Sequence, residues 1–139
     1  SAHFRTIISG WGHATPADSD GRACAEWCFR THKIKIDNVN KFSHYMGPIG
    51  CGSNPISNQA GNWVPDRAGW CPGMVVPVRI DKFDSDVSNS SLNFEYYFQP
   101  WTNNFVGTPG YNNKNAYNAI SSFIVLKSDQ QIEPATISN

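Results

Sequence analysis

The pentapeptide Cys24-Ala25-Glu26-Trp27-Cys28 places a carboxylate and an indole between two sulfurs. A glutamate closed into so short a loop cannot swing away. Held beside an aromatic ring, it suits a general acid or base, or a group that orients water. The alternative is an exposed charge on a stapled turn. The other two glutamates promise less, since Glu95 falls on the polar face of an alternating segment and Glu133 in the terminal tail, where solvated charges belong.

Trp11, Trp27, Trp63 and Trp70 are bracketed by Gly, Cys or Asn and are expected in loops, whereas Trp101 follows a strand segment and is expected to pack. A loop indole offers a flat apolar face and one N–H donor, which suits stacking on the C–H face of a sugar ring. One such residue usually packs; four together favour a carbohydrate or aromatic ligand. Arg67, within Pro65-Asp66-Arg67-Ala68-Gly69-Trp70-Cys71, carries a planar fork that can hold a carbonyl or carboxylate, or pair locally with Asp66. His3, His13, His32 and His44 form no His-x-His or His-x3-His pair, so no metal site is expected. A copper monooxygenase, which needs such a pair, is disfavoured. Neither a Gly-x-Ser-x-Gly elbow nor a phosphate-cradling glycine loop occurs, and no cofactor is expected.

Four cysteines in a chain with only 16% charged residues favour disulfides, with three pairings possible. Local spacing favours Cys24 with Cys28 and Cys51 with Cys71; the second would close a loop of about twenty residues, worth roughly 3 kcal/mol in the chain-entropy model. The rival is zinc held by these thiols or by some of them with His32, but the unequal gaps fit zinc knuckles poorly. Eleven basic residues balance eleven acidic ones, which argues against nucleic acid or a membrane surface as partner. No apolar run is long enough to span a bilayer. The chain lacks both a leader pattern and an initial Met, so it is expected to be a mature product or a piece of one, secreted or periplasmic.

The elements that must position these residues read as strands. Phe4 to Ser9 is short and β-branched, and Thr31 to Asp37 alternates Lys33 and Lys35 with Ile34 and Ile36. In Val75 to Phe83, Val76, Val78 and Ile80 share a face, and Pro77 points to a sheet edge or strand end. Leu92 to Trp101 sets Phe94, Tyr96 and Phe98 opposite Asn93, Glu95, Tyr97 and Gln99. Ile120 to Lys127 is apolar on both faces and reads as a central strand. Long turn-rich segments, 10–21, 47–73 and 102–118, lie between, and 23–30 can make one helical turn. One all-β domain over 1–139 follows, an antiparallel sandwich or jelly roll. The five or six strands are few for two sheets, so strands are expected to be missing on the N-terminal side.

The runs Arg5-Thr6-Ile7-Ile8-Ser9-Gly10-Trp11-Gly12-His13, Cys24 to His32 and Gly61 to Met74 closely resemble the C-terminal part of the bacterial peptide-N-glycosidase F family. Phe98 to Asn104 and Ala119 to Phe123 look like the same family. The resemblance implies two side-by-side jelly rolls with a cleft between them, this chain being most of the second without its first strands. It implies hydrolysis of the amide between asparagine and the innermost N-acetylglucosamine of N-glycans, giving aspartate and a glycosylamine. Glu26 then matches a catalytic-site glutamate that helps hold water and substrate; Trp11, Trp27, Trp70 and Arg67 match substrate-binding cleft residues. Both favoured disulfides match the family's pairing. The principal catalytic aspartate belongs to the first jelly roll, so the N-terminal part of the same polypeptide is the expected partner and this chain alone is expected to be nearly inactive. The competing expectation is a glycan-binding jelly-roll module without chemistry.

Overall fold

The computed structural model describes residues 1–83, 91–104, 116–134 and 136–138, which build an all-β antiparallel sandwich. β1 (Ala2–Trp11) alternates buried Ala2, Phe4, Thr6 and Ile8 with more exposed His3, Arg5 and Ile7. It runs between β4 (Val78–Phe83) and β6 (Tyr117–Leu126), antiparallel to both. β2 (Arg30–Ile36) buries His32, Ile34 and Ile36 and runs between β3 (Val39–Met46) and β5 (Phe94–Tyr97). The period-2 pattern thus turns one face of each central strand inward. Phe4, Phe83, Ile34 and Ile36 meet there, with Phe94 set edge-on to Phe4 at 4.6 Å. A second cluster of Ile8, Met46 and Ala68 lies toward the tryptophan-bearing end.

Three elements differ from expectation. β3 was not anticipated: Asp37 and Asn38, at φ 50° and 64°, form the two-residue turn of a hairpin, with Ile36 paired to Val39. Asn and Asp tolerate that left-handed backbone, and such turns match the twist of a hairpin. Because β3 sends Phe42, His44 and Met46 inward, its apolar alternation is interrupted. β6 is an edge strand among the described residues rather than a central one, and Phe123 is 56% exposed. On β4, Val78 and Ile80 do share a face, but it points outward, while Arg79, Asp81 and Phe83 point in. Pro77 precedes this edge strand, where its missing N–H costs no ladder bond. No helix among the described residues is long and apolar enough to cross a membrane.

Polar groups cross the core. His44 Nε2 and Asp81 Oδ2 are 2.7 Å apart between the sheets, and His32 Nδ1 bonds the Tyr96 hydroxyl at 3.1 Å. Register sets His32 directly opposite His44, a pairing that no local spacing reveals. Burial, with help from the nearby Arg79 and His44 charges, pushes the His32 imidazole down to about 4. Burial also pushes the Tyr96 phenol up to about 12. For a base depressed on folding, the unfolded chain binds the extra proton, so His32 favours the fold above about pH 6.5 and loses that contribution as the pH falls toward 4, about 3 kcal/mol in all. Thermal melts from pH 7.5 to 4 should therefore slope downward in the parent and less so in His32→Phe; equal slopes would refute this assignment.

Candidate active site

The site forms where one strand end meets two stapled loops. The Cys24–Cys28 and Cys51–Cys71 disulfides both close, so no described sulfur is left as a thiolate for zinc. In the first loop the Trp27 N–H donates to the Ala23 carbonyl at 3.1 Å, but the segment is a tight turn with Ala25 in a β-bridge, not the helical turn expected there. Backbone bonds tie this loop to the chain beyond β1: Glu26 N–H donates to Gly12 O at 3.3 Å, and His13 bridges Ala25. The loop crosses β1 at Gly10, where any Cβ would run into the Ala25 carbonyl. Glycine is required for that approach.

The 47–73 segment is ordered by its disulfide and by Asp66, whose Oδ1 accepts from the Gly50 and Cys51 N–H groups at 2.7 Å each. Asp66 therefore braces the loop and leaves its neighbour Arg67 for another partner. Ala68 N–H donates to Glu26 O at 2.9 Å, and Gly69, at φ 75°, turns the chain so that Arg67 and Trp70 both face the first loop.

Glu26 stands at the centre. Its Oε1 accepts from Arg67 Nε at 2.7 Å and its Oε2 accepts from the Gly12 N–H at 3.2 Å. Arg67 is only 6% exposed, and its remaining nitrogens donate to Pro65 O at 3.3 Å and Asn62 O at 2.5 Å. The guanidinium lies between two indoles, 4.5 Å from the Trp27 ring and 5.4 Å from that of Trp70. Trp70 donates its Nε1–H to Gly10 O at 3.0 Å and stacks on Trp11 at 4.5 Å. Trp11, itself bonded to Ser9 Oγ at 2.8 Å, is the outer and exposed member of the stack.

This arrangement sorts the residues that the sequence proposed. Glu26, Trp11, Trp27, Arg67 and Trp70 come together; Trp63 lies half-buried earlier in the second loop, and Trp101 packs near the first disulfide beside Ala14. Trp11 closes β1 rather than lying in a loop. Trp70, 5% exposed, supports Arg67 instead of offering a free ring face, and Arg67 directs its donors at its own chain. A carboxylate fixed at both oxygens, with its charge balanced by a cation held between aromatic faces, is set to orient a polar group rather than to move. His13 was missed. Its Nε2 lies 3.8 Å from Glu26 Oε2 and its ring meets Trp27 edge-on at 5.8 Å. Its place two residues beyond Trp11 was the only sequence signal.

Over residues 1–125 the chain matches the family described as "Peptide-N-glycosidase F, C terminal". It is 55% identical, over 99% of its own length, to the peptide-N(4)-(N-acetyl-beta-D-glucosaminyl)asparagine amidase F of Elizabethkingia miricola, of which it covers 38%. The solved structure of recombinant peptide:N-glycanase F superposes with a TM-score of 0.82 at 56% identity, over 95% of this chain and 41% of that one. A PNGase F structure from Flavobacterium meningosepticum, termed a glycosylasparaginase, gives 0.76 at 58% identity over 88% and 38%. The chain thus spans about two fifths of the length of the relatives it matches.

Proposed function

The chain belongs to the family of peptide-N-glycosidase F C-terminal domains, and on that premise we propose that it supplies half of a glycoamidase site. The reaction is hydrolysis of the asparagine–N-acetylglucosamine amide of N-glycoproteins or glycopeptides, leaving aspartate and a glycosylamine. The observation that carries this reading is the fixed carboxylate of Glu26, clamped by Arg67 and Gly12 N–H beside Trp27 and the exposed Trp11. Glu26 orients the attacking water and the reacting amide. Arg67 and Trp70 hold Glu26 in place, while Trp11 and Trp27 form the wall against the sugar. A second carboxylate, from outside this chain, activates the water.

That second carboxylate belongs to the N-terminal part of the longer polypeptide, which is the partner in this reading. The outer face of the first sheet suits it: Val78, Ile80 and Phe123 lie exposed on the same face as Trp11. An apolar sheet face continuous with a site marks an interaction surface rather than a solvated exterior. Two disulfides suit an oxidising compartment, secreted or periplasmic.

The test is a chimaera in which this chain replaces the segment it matches in the Elizabethkingia amidase. Incubated with an N-glycopeptide, the chimaera should convert the linking asparagine to aspartate, read by mass spectrometry, while the chain alone should not. An intact glycopeptide bound by a correctly folded chimaera would favour the glycan-binding module, and a residual N-acetylglucosamine would mean an endoglycosidase.

A further inference from the structure

Building on that reading, we infer that His13 is a substrate-side residue of the same site: its Nε2 and Glu26 Oε2 together hold one bridging oxygen, from a water or a sugar hydroxyl. Glu26 Oε1 is taken by Arg67, but Oε2 receives only the long 3.2 Å bond from Gly12 N–H and keeps acceptor capacity. On that side lies His13 Nε2, 3.8 Å away. This is too long for a direct hydrogen bond, yet a single oxygen bonded to both groups fits such a gap. The imidazole is fixed at its base by the His13–Ala25 bridge and along its edge by Trp27. Its side chain is 61% exposed while that of Glu26 is 14% exposed, so His13 forms the open lip of the notch and Glu26 its floor. An imidazole nitrogen serves as either donor or acceptor, so it can donate to a hydroxyl or water that gives a hydrogen to the carboxylate, or accept one hydrogen of a water that gives its other to the carboxylate.

Ring packing and nitrogen bonding make different demands, which separates this role from a structural one. His13→Phe keeps the ring against Trp27 and removes the nitrogen; His13→Gln removes the ring and returns an amide near the Nε2 position. In the active chimaera, His13→Phe should lower kcat/KM by about tenfold or more, the loss of one hydrogen bond that strengthens in the transition state. His13→Gln should stay within about threefold of the parent. A fall in kcat at constant KM identifies the bridging oxygen as the hydrolytic water, and a rise in KM identifies a sugar hydroxyl. Full activity in His13→Phe, or equal loss in both folded variants as judged by far-UV circular dichroism, overturns the proposal. Glu26→Gln in the same background keeps the two levels apart. If it retains the full rate, Glu26 is not part of the chemistry and the half-site reading built on it fails together with the role of His13; if it is inactive while His13→Phe is not, only the role of His13 fails.

Discussion

Replacing Glu26 by glutamine in the chimaera should cut glycan release by about a hundredfold to ten-thousandfold, the range over which a positioned acid–base group contributes. The substitution is nearly isosteric, so the loop and its disulfide should persist. What changes is the pattern of donors and acceptors. A glutamine oxygen can still receive Arg67 Nε, but the amide NH2 then faces the Gly12 N–H, donor against donor, where Oε2 accepted a bond at 3.2 Å. The group also loses the charge that orients a water and answers the buried guanidinium. Glycopeptide binding, measured by titration calorimetry, should weaken far less than turnover, because the exposed Trp11 and the half-buried Trp27 are untouched. Turnover within threefold of the parent would remove Glu26 from the chemistry.

How much of this was legible in the sequence varies by element, and physics explains where it was not. β2 announced itself because Ile34 and Ile36 alternate with lysines on a strand half in water. β6 announced the wrong thing. Apolar residues on both faces usually mean burial on both faces, but among the described residues β6 lies at a sheet edge and leaves Ile120, Phe123 and Ile124 exposed, a place in the sheet that no local pattern encodes. The site divides similarly. Glu26 stood out through its two flanking cysteines, a local feature. Its link to Arg67 spans 41 residues and rests on a left-handed turn at Gly69 and on Asp66 being occupied by the Gly50 and Cys51 amides. Spacing suggested the Asp66–Arg67 neighbour pair instead, and only the fold decides between them. His13 stood out only by its place two residues beyond Trp11, since a lone histidine forms no ligand pair and its approach to Glu26 is made by the fold.

The Arg67–Glu26 contact also makes a stability prediction that activity alone would not reveal. Both side chains are largely withdrawn from water, and removing one partner of such a pair strands the other charge, at a cost of about 3–5 kcal/mol. Arg67→Met should therefore lower the melting temperature by roughly 10 °C or more, and it should also reduce turnover, since Glu26 would lose the bond at Oε1 that fixes its orientation. Arg67→Lys should fare little better: an ammonium cannot lie flat between Trp27 and Trp70 while reaching Glu26, Pro65 O and Asn62 O together. The decisive comparison is the double variant. With Glu26→Gln added to Arg67→Met, no charge is stranded, so the pair of changes should cost about 1–3 kcal/mol less than the sum of the single ones, while glycan release stays abolished. Additive losses in the double-mutant cycle would mean that the two residues stabilise the loops independently, and that the guanidinium is not what holds the carboxylate in place.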